Sequence, residues 1–136
     1  MARILVVDDE PDVRLGLTQL LEEAGHEIVQ ASDGAYVQAM ALLDHPDVIL
    51  LDVSMSRVSG FEALAMLKTD ARTADIPVIM VTAKGRPQDL QQAKALGALD
   101  YINKPWAKGE VVLRTEWALK KAARNKSVPA APRRPK

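Results

Sequence analysis

Residues 47–52 read Asp47-Val48-Ile49-Leu50-Leu51-Asp52, four apolar residues closed at each end by a carboxylate. No polar residue interrupts the run, so a strand here buries both of its faces. That is the habit of a parallel sheet covered by helices on both sides. Working outward, Arg3-Ile4-Leu5-Val6-Val7 is a second such strand ending at Asp8-Asp9. Glu27 to Ala31, Pro77-Val78-Ile79-Met80-Val81 ending at Thr82, and the shorter Leu99 to Ile102 complete a set of five. The segments between them carry helical signals. Pro11 opens a helix to about Ala24 whose Val13, Leu17, Leu20 and Leu21 recur at helical spacing, with Gly25 as its stop. Gly34 to Leu43, Ser59-Gly60 to about Leu67, Pro87 to Leu96 before Gly97, and Lys108 to Arg124 read as four more, with a polar loop at Thr69 to Asp75. Strands alternating with helices predict a doubly wound α/β domain with a five-stranded parallel sheet and five helices.

Composition narrows the chemistry. A chain of 136 residues, 48% hydrophobic and 26% charged, suits one domain that folds without disulfides or structural metal. With no cysteine, a thiol nucleophile, a cysteine-ligated metal and a disulfide scaffold are excluded, and two histidines cannot build a histidine cage. Met1-Ala2-Arg3 precedes only four apolar residues, which is no signal peptide, and no apolar run approaches the roughly 18 residues of a membrane span. The expectation is a soluble, cytoplasmic protein with no membrane contact. The net charge of zero hides an asymmetry. Seven basic and no acidic residues lie from Lys120 onward, leaving 11 basic against 18 acidic in residues 1–119, a net of −7. The acidic body would repel nucleic acid. We expect a folded domain over 1–125 and a disordered, basic, Pro-rich tail or linker over 126–136.

In an open parallel sheet, ligands bind beyond the carboxyl ends of the strands, where strand order reverses. The residues falling at those ends are Asp8, Asp9, Asp52, Thr82 and Lys104. Core packing does not call for three carboxylates, a hydroxyl and an ammonium on one edge. Clustered carboxylates favour a cation, and hard oxygen donors without histidine or cysteine favour Mg²⁺ over zinc. A carboxylate beside Mg²⁺, a lysine and a threonine hydroxyl can accept a phosphoryl group. Neither G-x-x-x-x-G-K-[ST] nor G-x-G-x-x-G occurs, so nucleotide binding has no support.

From about Ala2 to Arg124 the sequence resembles the receiver domains of bacterial two-component response regulators. Its motifs are Leu5-Val6-Val7-Asp8-Asp9-Glu10, Leu50-Leu51-Asp52-Val53-Ser54-Met55 with Gly60, Val81-Thr82-Ala83, Gly97-Ala98, and Tyr101-Ile102-Asn103-Lys104-Pro105. Five weak motifs in order at strand ends are together specific. The resemblance implies a flavodoxin-like fold with strand order 2-1-3-4-5. It implies that Asp52 accepts a phosphoryl group from a phosphohistidine of a sensor histidine kinase or phosphotransfer protein. Asp9, Asp52 and the backbone carbonyl of Ser54 would ligate Mg²⁺, with Asp8 acting through water. Lys104 would pair with phosphoryl oxygens, Thr82 would hydrogen-bond them, and Tyr101 would be the switch aromatic. The Lys104–Pro105 bond would be cis. Rather than a turnover enzyme, the resemblance implies self-catalysed uptake and slow self-catalysed loss, the latter tuned by Ser54 and Lys84. Two positions depart from the pattern: Ser56 stands where many receivers carry proline, and Leu99 where an acidic residue is common.

Three other functions stay open on the residues. The chain could be the receiver part of a longer DNA-binding or enzymatic regulator, although it contains no helix-turn-helix itself. A small Mg²⁺-dependent phosphatase with an Asp nucleophile would want an acid two residues on, where Ser54 stands. A flavodoxin-like FMN carrier would want a Ser/Thr/Gly phosphate loop in place of Asp8-Asp9-Glu10. The last helix suggests the output surface. Val111, Val112, Thr115, Ala118, Leu119 and Ala122 share one sector of roughly 120° that should face the sheet. Leu113 and Trp117 point away from it, and with Leu99 they are expected to form a docking patch ringed by Lys94, Lys120 and Arg124. Its occupant would be a downstream protein or a second copy, on the face made by the fourth helix, fifth strand and fifth helix.

Overall fold

The computed structural model describes residues 1–55, 57–83 and 86–127, with side chains as far as Ala123. The readings placed on Ser56, Lys84 and the tail beyond Ser127 lie outside the described residues. Five strands, β1 (Arg3–Val7), β2 (Glu27–Ala31), β3 (Val48–Asp52), β4 (Val78–Thr82) and β5 (Asp100–Asn103), form one sheet. Every pairing is parallel and the order is β2-β1-β3-β4-β5. The helices are α1 (Pro11–Glu23), α2 (Val37–Asp44), α3 (Gly60–Thr69), α4 (Pro87–Ala95) and α5 (Glu110–Ser127). This is the doubly wound flavodoxin-like topology.

Side-chain alternation along the strands divides the core in two. Leu5, Val7, Ile49, Leu51, Val78 and Met80 pack with Val37, Ala41, Ala63, Leu64, Leu67 and Ala93, so α2, α3 and α4 cover one face. Ile4, Val6, Val48, Leu50, Ile79, Val81 and Ile102 pack with Leu17, Leu21, Val111 and Ala118, so α1 and α5 cover the other. From β1 the chain goes to β2 on one side and returns to β3 on the other, so the reversal lies between β1 and β3. Asp8 and Asp9 follow the first of these strands and Asp52 ends the second.

Several boundaries differ from the sequence reading by one or two residues. Asp52 and Thr82 belong to their strands, because Asp52 pairs with Val81 and Thr82 with Asn103 in the ladder. Pro77 lies just outside β4, lending only its carbonyl to the Ile49 N–H. The second helix begins as a 3-10 turn over Gly34–Tyr36, where the Asp33 side chain accepts from the Ala35 N–H at 2.8 Å. Strand β5 starts at Asp100, after Leu99 has turned in to pack against the α1/α5 core. The last helix starts at Glu110, after Gly109 at φ 82°, with the Glu110 carboxylate accepting from the Ala107 N–H at 3.0 Å. It runs to Ser127, past the expected domain end at 125.

Candidate functional site

Asp8 is fully buried, Asp52 is 3% exposed and Asp9 is half-buried. One carboxylate oxygen from each lies within 4.8 Å of the others, the one such acidic cluster among the described residues. Asp8 and Asp52 are held by their surroundings. Asp8 accepts from the Glu10 N–H through one oxygen at 2.9 Å and from the Lys104 ammonium through the other at 2.7 Å. Its backbone carbonyl accepts from Arg14 at 2.7 Å. Asp52 sits 3.4 Å from Lys104 Nζ and, at the same distance, accepts weakly from the Ser54 N–H.

The chain leaving β3 doubles back sharply, and Gly60 makes this possible. A Cβ there would lie 2.1 Å from the Asp52 carbonyl oxygen, so no other residue fits. The Gly60 N–H donates to the Val53 carbonyl at 2.8 Å, and Ser59 and Glu62 form a capping box that starts α3. Lys104 is placed by the backbone: its N–H donates to the Thr82 carbonyl at 2.9 Å, and the Lys104–Pro105 bond is cis. Thr82 is buried, and its side chain hydrogen-bonds that of Tyr101.

Burial and the neighbouring Asp8 charge push the Asp52 carboxyl up to about 6, against the pull of Lys104. Burial works against the Lys104 ammonium, but the hydrogen bond to Asp8 and the charges of Asp52 and Asp8 outweigh it and raise its pKa. One lysine thus serves two carboxylates that repel each other, and Asp9 adds a third carboxylate to the cluster. The donor set is hard oxygen with an excess of negative charge, which fits a divalent cation such as Mg²⁺. Three carboxylates, an ammonium and a hydroxyl thereby meet at one sheet edge.

The sequence-picked residues away from this edge gather on the opposite side of β5. Leu99, Leu113 and Trp117 line a groove together with Asp100, Glu110 and Arg114. Leu113 is 70% and Trp117 48% exposed, and Lys121 stacks on the indole with its ammonium 5.0 Å from the ring centre. Lys94 lines an adjoining hollow with Tyr101, and the side chain of Arg124 lies outside the described residues. Sequence reading missed three sets of ion pairs around the site. Arg114 bridges Asp100 at 2.9 Å and Glu110 at 2.9 Å, Arg86 holds the buried Asp89 at 3.0 Å, and Arg57 holds Asp33. Spacing could have suggested the Glu110–Arg114 and Arg86–Asp89 pairs, since they sit four and three residues apart.

The family model "Response regulator receiver domain" matches residues 4–116. The chain belongs to the response regulator receiver family. It is 44% identical over 115 residues to Protein PilH of Pseudomonas aeruginosa, covering 85% of this chain and 94% of that one. It is 42% identical over 124 residues to the DNA-binding dual master transcriptional regulator RpaA of Synechocystis, covering 91% of this chain and 52% of that one. The chain therefore spans about half the length of RpaA and of the phosphate regulon regulators PhoB that it also matches. Among solved structures, chemotaxis protein CheY4 of Vibrio cholerae superposes with TM-score 0.80 at 33% identity, over 88% of this chain and 98% of that one. The receiver is thus a phosphorylation-controlled switch of the two-component type. Receivers as a family are phosphoacceptors that bind Mg²⁺ in an acidic pocket and engage a phosphodonor and an effector. Among the described residues no helix is long and apolar enough to cross a membrane.

Proposed function

We propose that Asp52 is the phosphoacceptor of this receiver and that Lys104, Thr82 and Tyr101 register its state. The observation that carries this reading is Lys104 Nζ seated 2.7 Å from Asp8 and 3.4 Å from Asp52 at the sheet's reversal point. An Asp52 oxygen attacks phosphorus in line as the phosphorus–nitrogen bond of a partner's phosphohistidine breaks, and the imidazole leaves with the bonding pair. Asp52 must be ionised to attack, and with its carboxyl at about 6 it is so above neutral pH. Asp9, Asp52 and the Ser54 carbonyl would hold Mg²⁺, with Asp8 beyond a water. The bound cation would neutralise charge on the transferring oxygens. Lys104 would exchange its longer contact with Asp52 for the phosphoryl oxygens, while its hydrogen bond to Asp8 keeps the ammonium at the site.

Once phosphorylated, Asp52 would draw the Thr82 hydroxyl away from Tyr101, and the Tyr101 ring would follow. Tyr101 shares its hollow with Leu90, Ala93 and Lys94 of α4, so its movement reaches the α4–β5–α5 face. There Leu99, Leu113 and Trp117 would receive a downstream protein or a second copy. The phosphodonor is a sensor histidine kinase or phosphotransfer protein in the cytoplasm. The folded unit, expected over 1–125, extends to the end of α5 at Ser127; the basic segment after it is a tail or a linker to an effector domain, and this chain itself contacts neither nucleic acid nor membrane. Loss of the phosphoryl group is slow, because the position two after Asp52 is Ser54, which offers water no acid or base.

Phosphoramidate, a small phosphorus–nitrogen donor, tests the assignment. With Mg²⁺ it should add one phosphoryl mass to the wild-type chain and none to Asp52→Asn. Equal uptake by the variant would refute the nucleophile.

A further inference from the structure

The loop that leaves Asp52 is gripped from outside by the turn that follows β2. Arg57 reaches across to Asp33, with Nε 2.7 Å and Nη2 2.5 Å from the same carboxylate oxygen. The other Asp33 oxygen accepts from the Ala35 N–H at 2.8 Å, so the carboxylate is itself fixed. Beside them the two backbones touch: a Cβ on Gly34 would lie 2.5 Å from the Val58 carbonyl oxygen. Arg57 is 65% exposed but Asp33 only 12%, so the pair is shielded on one side. Between Asp52 and Gly60 the loop also carries Ser54, whose carbonyl is assigned to the cation.

We propose that Arg57, clamped by Asp33, is a positioning residue that holds the Asp52 loop in its cation-binding form. The inference rests on the assignment of Asp9, Asp52 and Ser54 as the cation site. Charge alone predicts the opposite for Arg57. A cation near an acidic cluster weakens cation binding, so its removal would tighten it, whereas release of the clamp loosens the loop and weakens it.

Titration calorimetry of the full chain with Mg²⁺ separates the two. Arg57→Ala and Asp33→Asn should each weaken Mg²⁺ binding by about two- to fivefold, the range of a well-placed surface ion pair. The double variant should be no weaker than either single one, since both break the same contact. Arg57→Lys, which keeps the charge and loses the fork, should fall between wild type and Arg57→Ala. Phosphoryl uptake from phosphoramidate by Arg57→Ala should slow at limiting Mg²⁺ and recover at saturating Mg²⁺. Unchanged or tighter binding by Arg57→Ala, or additive losses in the double variant, would overturn the clamp. Asp9→Ala separates the two levels. If it abolishes Mg²⁺ binding while the clamp variants match wild type, the clamp alone fails. If it binds as wild type does, the site assignment fails and the clamp falls with it.

Discussion

Replacing Asp52 by asparagine should make the metal-free protein more stable, although it removes the reactive group. In the folded chain the Asp52 carboxyl sits at about 6 against an ordinary 3.8, because burial and the Asp8 charge penalise its ionised form more than Lys104 favours it. A raised carboxyl contributes stability that is fully present below the unfolded value and lost as pH rises through the folded one. For a carboxyl held at about 6, the loss amounts to about 3 kcal/mol at pH 7.5 and about half of that at pH 5. Asparagine has nearly the shape of the protonated acid and carries no charge, so Asp52→Asn should recover most of this difference. For a domain of this size that raises the melting temperature by roughly 5–10 °C at pH 7.5. The assay is thermal and urea unfolding followed by circular dichroism in EDTA, from pH 5 to 8, on both proteins. The gap should narrow steadily as pH falls through 6. A variant no more stable than wild type at pH 7.5, or a gap that does not change with pH, would refute the electrostatic account of the pocket.

Other outcomes follow from the same geometry. Lys104→Ala removes the ammonium shared by Asp8 and Asp52 and should destabilise the metal-free protein by about 1–3 kcal/mol. Mg²⁺ should restore more stability to it than to wild type, which melting curves with and without Mg²⁺ would show. Gly60→Ala places a Cβ 2.1 Å from the Asp52 carbonyl oxygen, so it should cost at least about 1–3 kcal/mol in urea unfolding and slow phosphoryl uptake. Trp117→Ala removes a half-exposed ring. It should leave uptake at Asp52 unchanged while weakening association of the phosphorylated form in light scattering or pull-down. Association equal to wild type would remove Trp117 from the output surface.

The strands and helices could be read from the sequence because each apolar run is a whole buried strand. Val48 to Leu51 could belong only to a sheet covered on both sides. Sheet-edge chemistry was legible for the same reason, since strand ends deliver Asp8, Asp52 and Thr82 to one place whatever the exact boundary. The half-exposed Trp117 and the exposed Leu113 could be read from helical phase, which sets Val111, Thr115 and Ala118 against the sheet. Pairings that cross between loops were not legible. Arg57 and Asp33 are 24 residues apart with no shared periodicity, and only the parallel order β2-β1-β3 brings the loops that follow β2 and β3 together. The start of α5 differs because Lys108-Gly109 scans as helix, while the positive φ of Gly109 and the Glu110 side chain delay it by a turn fragment. Leu99 packs partly into the core as well as lining the groove, which a residue judged only by its exposure in sequence cannot reveal.

An acyl phosphate on Asp52 is the centre of the account, and borohydride trapping reads it directly. Hydride reduction of an aspartyl phosphate converts the side chain to homoserine, a mass change that peptide sequencing assigns to one position. After incubation with phosphoramidate and Mg²⁺, homoserine should appear at residue 52 and be absent when EDTA is present. Homoserine at position 8 or 9, or at 52 in undiminished yield without the metal, would contradict it.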